Sequence, residues 1–178
     1  GGGVAAITGP NFAIYTKGLI GTALFAGTFA GLVGIYLTLF IVLLFIRIPR
    51  PGVEERSGTG RNLSEIASQP TFIVAVMGAV IGFAVMAFLM SVTPLVMSHH
   101  AFNFGDSAFV IQGHMIGMFL PSFFTGSLIA RYGVTNIMIC GALMMVATVI
   151  INVSGIEFLY FFAALALVGT GWNFLFIG

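Results

Sequence analysis

Apolar residues along this chain run in long blocks separated by short polar breaks, with neither the alternation of a half-buried strand nor the narrow stripe of a soluble helix. A membrane-spanning helix needs about 20 mostly apolar residues. Six blocks reach or approach that length: 1–14, 21–46, 71–97, 107–130, 135–153 and 158–178. The first is partial, and the apolar character at both ends is read as a fragment of a longer protein, cut inside a helix on each side. The one long polar segment is RIPRPGVEERSGTGRNLSEIASQP, residues 47–70. Within it, NLSE at 62–65 has the form of a capping box with Asn62 as N-cap, and Pro70 suits the first turn of the next span.

Composition places these blocks in a bilayer. The chain is 59% hydrophobic and 6% charged over 178 residues, with a mean hydropathy of +1.13. A soluble domain carries roughly 25% charged residues, so the fold class is an all-α integral membrane bundle. A net charge of +1 argues against a nucleic-acid partner, and a single cysteine, Cys140, excludes an intrachain disulfide or a multi-cysteine metal site. No signal-peptide pattern opens the chain. Arg47, Arg50, Arg56 and Arg61 lie in the polar loop, and Arg131 falls on the same side two spans later, whereas the other side has Lys17 beside Asp106 and Glu157. By the positive-inside rule the 47–70 loop and Arg131 are expected in the cytoplasm.

The spans differ in how often polar or small residues interrupt them. The second (ending LTLFIVLLFI) and the fifth (NIMICGALMMVATVII) are nearly pure hydrocarbon and are expected at the lipid-facing periphery, with the others lining an interior. No Asp, Glu, Lys or Arg sits near the middle of any span, so paired carboxylates, a zinc cluster or a serine–histidine–acid set have no members at depth. The chain reads as no enzyme, with no cofactor.

Chemistry at depth rests on few side chains. His114 is the one ionisable group well inside a span. At spacings of four, four and three it shares a helix face with Met118, Ser122 and Thr125. Pro121 on that helix removes a backbone donor and is expected to free a carbonyl for a ligand or water. His114 is therefore a candidate for substrate binding, for carrying a proton, or for tying down a neighbouring helix. In GTGWNF, Trp172 is placed to stack on a planar solute and Asn173 to orient it, with Gly169 and Gly171 leaving room around them; space-filling and interhelical glue are the plain alternatives. Asn11, after Gly9-Pro10, is a third cavity candidate on a kinked helix. The pairs Gly27/Gly31, Gly78/Gly82 and Gly113/Gly117 have the spacing of close helix crossings. His99-His100 diverge by about 100° on a helix and read as an interfacial pair rather than a metal site.

The segment GSLIARYGVTN resembles the loop motif Gly-x-Leu-x-Asp-Arg-x-Gly-Arg-Lys of the major facilitator superfamily through Gly126, Leu128, Arg131 and Gly133. It departs from that motif at Ala130 and Val134, which stand where the motif has Asp and a basic residue. The Gly-Pro span, TPLVMSHH, HMIGMFLPSFFTGSLIARYG and GTGWNFLFIG agree with a bacterial subgroup of that superfamily. The resemblance implies that the six spans are the fifth to tenth helices of the family fold. Residues 1–46 would close the N-terminal half, 47–70 would connect the halves, and 71–178 would open the C-terminal half. It further implies secondary transport of a small organic solute by alternating access in a bacterial inner membrane, with protons as a candidate coupling ion. Gly126, Arg131 and Gly133 would form a gating loop. The partners implied are the solute, the lipid bilayer and the remaining helices. The competing class is a non-transporting membrane subunit or sensor working through helix contacts. A membrane enzyme would need catalytic groups from outside this sequence. The lack of fixed charge at depth favours a neutral or aromatic solute.

Overall fold

A computed structural model describes residues 2–21, 23–47 and 62–177. The helices are α1 (Gly2–Thr16), α2 (Ala26–Phe45), α3 (Leu63–Ala67), α4 (Pro70–His99), α5 (Phe104–Phe119), α6 (Ser122–Tyr132), α7 (Val134–Ser154) and α8 (Phe158–Ile177). Two units emerge, one of residues 1–14 and 73–178, the other of residues 15–72. Four helices, α2, α4, α7 and α8, are long and apolar enough to cross a membrane, and α5 with α6 makes a fifth span that is bent by 41°. The first expected span is a helix of 15 residues. The architecture is all-α and membrane-spanning, as composition and block length require. Most of the 47–70 connector, including Arg50, Arg56 and Arg61, lies outside the described residues.

In the smaller unit, α2 begins at Ala26, five residues later than the hydropathy block. The delay has a local cause. Phe25 takes a left-handed φ of 69°, and its N–H reaches back 2.9 Å to the Lys17 carbonyl. Gly27 then sits so close to the end of α1 that a Cβ there would lie 2.3 Å from the Thr16 carbonyl oxygen. Gly27 thus serves this turn. Asn62 takes the N-cap position of α3, but its side chain makes no capping bond, so the capping box read at 62–65 does not form. Pro70 is the first residue of α4, where its missing N–H costs nothing.

The larger unit is organised around α8. Leu165 and Val168 of that helix are wholly buried, and with Phe161 they meet Met97 of α4, Val110 of α5 and Met145 of α7 in one apolar cluster. Two glycine contacts let the neighbours come in to backbone distance. A Cβ on Gly117 of α5 would stand 2.3 Å from the Ala166 carbonyl oxygen, and one on Gly169 would stand 2.3 Å from the His114 carbonyl oxygen. On the other flank, Gly141 of α7 faces the Gly171 carbonyl oxygen at 2.8 Å by the same measure. Gly169 and Gly171 therefore leave no open room beside Trp172 and Asn173; the backbones of α5 and α7 occupy it. Of the expected close pairs, Gly113/Gly117 does mark a helix crossing, whereas the Gly141–Gly171 approach has no Gly-x-x-x-Gly spacing to announce it.

The fifth expected span, α7, docks one face on α8 and leaves another exposed. On α7 the buried residues are Ile137, Gly141, Met145 and Thr148. Gly141 draws α7 onto α8, while Ile139, Leu143, Val146, Ile150 and Val153 form an exposed stripe on its far face.

The turn from α4 to α5 is doubly capped. Ala101 adopts a left-handed φ of 64°; its N–H bonds the Ser98 carbonyl at 3.2 Å and the Phe102 N–H bonds the Met97 carbonyl at 3.1 Å. That pattern is a Schellman motif, with Met97 and Phe102 supplying the accompanying apolar contact. Immediately afterwards, Asn103 and Asp106 exchange side-chain-to-backbone bonds of 3.0 Å in a full capping box, which starts α5 at Phe104. His99 and His100 close α4 here with their rings edge-on at 5.7 Å, and no group of three or more metal-ligating side chains occurs among the described residues. Because alanine is strained where φ is positive, Ala101→Gly is expected to stabilise the full-length protein by about 1 kcal/mol. Gly169→Ala is expected to destabilise it strongly, and thermal unfolding in detergent checks both.

Candidate functional site

The fourth expected span is not one helix. The chain leaves α5 at Leu120, bends at Pro121 and resumes as α6 at Ser122. Proline has no N–H, so the Gly117 carbonyl loses its partner four residues on. In hydrocarbon an unpaired carbonyl is costly, and irregular backbone persists only where other groups satisfy it. Both carbonyls at the break find donors on α8. Thr170 Oγ1 reaches the Gly117 oxygen at 3.3 Å while also bonding Ala166 of its own helix at 3.2 Å. Asn173 Nδ2 donates to the Met118 oxygen at 2.8 Å. The carbonyl foreseen as free for a ligand is therefore capped by protein.

Asn173 does more than cap. Its amide nitrogen also donates to Ser122 Oγ at 2.7 Å, and its oxygen accepts from Thr125 Oγ1 at 2.8 Å. Both N–H groups and the carbonyl are thus used, and because a backbone carbonyl can only accept, Met118 fixes which way the amide points. Thr125 divides its single proton between Asn173 and the Pro121 carbonyl, also at 2.8 Å. Asn173 is 1% exposed and Thr125 is fully buried, so two of the knot's three side chains are sealed in the interior. Ser122 is the exposed member, and it meets the knot from α6.

One turn above Met118, His114 is 1% exposed and its Nδ1 lies 3.0 Å from the Leu165 carbonyl oxygen. A carbonyl accepts, so Nδ1 carries the proton and Nε2 is the acceptor. Of the four residues read as one face, His114, Ser122 and Thr125 meet α8 through their side chains, at Leu165 and Asn173. Met118 does so through its backbone carbonyl, and Ser122 and Thr125 lie beyond the bend. Other candidates lie apart. Trp172 is half-buried and stacks on Phe176 of its own helix, with centroids 4.6 Å apart and planes 11° from parallel. Asn11 bonds the Ile7 carbonyl of its own helix at 2.9 Å. Gln112, which the sequence did not single out, approaches that same carbonyl from α5 at 3.5 Å.

The gating-loop candidates occupy the far end of the bent span. Gly133 is the single residue between α6 and α7, with φ of 83°, a conformation glycine tolerates and other residues resist. A Cβ on Gly126 would meet nothing within 4 Å. Arg131 is exposed, its guanidinium carbon 5.3 Å from the Tyr132 ring centre, and the neighbouring position is Ala130. Thr170 was missed in the sequence; a Thr-x-x-Asn pair, 170 and 173, on the span facing a proline break was the available signal.

These features define a class: a multi-span α-helical membrane protein whose bent span is sutured at mid-depth by uncharged polar side chains. Comparison with known sequences narrows it. The chain is 39% identical over 180 aligned residues to the riboflavin transporter RfnT of Brucella anthropi, covering all of this chain and 45% of that protein. It is 31% identical to the uncharacterized MFS-type transporter YdeG of Bacillus subtilis, over 87% of this chain and 39% of the relative. With YddS of the same organism, also named an uncharacterized MFS-type transporter, identity is 27%, over 96% of this chain and 43% of that protein. The chain belongs to the major facilitator superfamily, and it spans less than half the length of these relatives. No family profile matches it, and no solved structure does.

Removing the knot tests its weight. Asn173→Leu strands the Met118 carbonyl and is expected to destabilise the full-length protein by about 1–3 kcal/mol. Asn152→Ala, which removes a bond within one helix, should cost well under that. Thermal midpoints in detergent decide, and equal losses would deny Asn173 a special place.

Proposed function

We propose that the full-length protein is a secondary transporter that carries a small, uncharged, flat organic solute across a bacterial plasma membrane by alternating access. The observation that carries this reading is the 39% identity to a riboflavin transporter along the whole of this chain. Riboflavin is accordingly the first solute to test. The uncharged character of the seam supports a neutral cargo. The bend at Pro121 supports a moving span, since few backbone bonds hold its two halves in line. In this reading residues 1–46 and 71–178 belong to opposite halves of the transporter, and the connector and the Arg131–Gly133 turn face the cytoplasm. With no carboxylate at position 130, Arg131 would latch onto an acceptor such as a helix C-terminal carbonyl. Ser122 is the polar group of the seam best placed to meet solute, because its oxygen is held by Asn173 while its side chain is exposed.

For His114, the bond to Leu165 supports a structural tie over a proton carrier, and proton coupling then belongs to helices outside this chain. A second reading draws on the same burial: His114 and Asn173 are buried and bond neighbouring helices, as they would in a subunit or sensor that works through helix contacts.

Uptake of labelled riboflavin into membrane vesicles separates these readings. The full-length protein is expected to give saturable uptake above empty vesicles, and no uptake would favour the subunit or sensor. His114→Gln, which keeps an N–H donor, is expected to leave the pH profile of uptake unchanged; a flattened profile would return His114 to the role of carrier.

A further inference from the structure

A second feature lies at the opposite end of α5 from the break. At the doubly capped α4–α5 turn a cavity of about 340 Å³ opens between α1, α4 and the start of α5. That size is within the range of small-molecule pockets, about 300–1,000 Å³. It is lined by Phe102 and Phe104, by Ala108, and by the polar side chains of Ser98, Asn103 and Ser107. No charged residue lines it.

Ser107 is the informative member. It is 9% exposed, yet its hydroxyl has no hydrogen-bond partner among the described residues. Among the described residues every side-chain oxygen or nitrogen that is sealed from its surroundings has a partner, so the Ser107 oxygen keeps what accessible surface it has. Ser91, Ser98 and Ser154 spend their hydroxyls on the carbonyls of Ala87, Leu95 and Ile150. The hydroxyls of Ser64 and Ser127, also unpartnered among the described residues, belong to exposed residues, unlike Ser107. Asn103 likewise has work left to do. Its Oδ1 is spent on the Asp106 N–H, which leaves its two amide N–H groups as donors at the cavity edge. Asp106, the nearby carboxylate, is bound into the capping box through the Asn103 N–H.

We propose that this cavity is a solute subsite, distinct from the mid-span seam, that takes a flat uncharged ring with an amide or imide edge. Phe102, whose ring also packs edge-on against Phe161 at 5.8 Å, and Phe104 give the ring apolar walls. The Ser107 hydroxyl and the Asn103 amide read its polar edge, and each would otherwise remain without a protein partner. The subsite is pre-formed, because the Schellman motif and the capping box fix Phe102, Asn103 and Phe104 without help from a ligand, and a pre-formed site loses little on binding. The proposal rests on the transport reading for the identity of the ring, and the experiment separates the two.

Equilibrium dialysis of riboflavin against the purified full-length protein in detergent reads the subsite; vesicle uptake reads transport. Ser107→Ala deletes an atom that touches no protein partner, so its thermal midpoint should match wild type. Its dissociation constant for riboflavin is expected to rise roughly 3- to 10-fold, the worth of one hydrogen bond. Ala108→Leu fills the cavity and is expected to weaken binding by more than about 10-fold. Wild-type affinity in both variants, or no riboflavin binding by the wild-type protein, would overturn the subsite. Binding that responds to both substitutions without any vesicle uptake would sink the transport reading and leave the subsite standing.

Discussion

The larger unit depends on one constraint: inside hydrocarbon, no backbone carbonyl can be left without a donor. Pro121 breaks that rule locally, and α8 repairs it. Thr170 and Asn173 stand three residues apart, one helical turn, and meet the carbonyls of Gly117 and Met118, which are one residue apart at the bend. The repair demands that α8 lie at backbone distance from α5, and Gly117 and Gly169 allow it. A side chain on either would push the helices apart and pull both donors off their acceptors. Glycine packing and carbonyl capping are thus one device.

The same helix serves α7 through Gly141 and Gly171, so α8 is held on two flanks by small residues and contributes more buried apolar residues than any other helix. It also touches the α4–α5 turn, through Phe102 against Phe158 and Phe161, and that turn carries its own caps besides. The result is a unit with a rigid end at residues 97–106, a sutured bend at mid-span, and a one-residue turn at Gly133. A membrane protein that moves can use such a gradient: the bend supplies freedom, and the polar suture sets how much. His114 adds a second tie between α5 and α8, one turn from the bend.

Much of this was legible in the sequence. Block length gave five of the six expected spans, α2, α4, the bent α5–α6 pair, α7 and α8, because a bilayer forces about 20 apolar residues per crossing. The spacing of His114, Met118, Ser122 and Thr125 predicted a shared face, and Pro121 predicted a freed carbonyl. The partner of that carbonyl was not legible, since nothing local says which helix will lie alongside. Asn62 and Asn103 make a telling pair. Both open an Asn-x-x-acid stretch, yet Asn103 builds a capping box and Asn62 does not. Asn103 begins a 16-residue helix packed on α8, whereas Asn62 begins a 5-residue helix with no buried residue to anchor it. The face by which the fifth span docks was not legible for a related reason. Hydropathy averages over all faces of a helix, and a single glycine, Gly141, is enough to dock one of them.

The central claim is that Thr170 and Asn173 are there because Pro121 is there. The direct test is a double-mutant cycle on the stability of the full-length protein in mixed micelles, pairing Pro121→Ala with the capping substitutions Thr170→Val and Asn173→Leu made together. Alanine at the bend restores a backbone donor to the Gly117 carbonyl. The loss from removing the caps is therefore expected to shrink in the Pro121→Ala background by more than the roughly 0.5 kcal/mol within which independent sites add. Additive losses would contradict it, and would leave the two side chains as ordinary interhelical contacts.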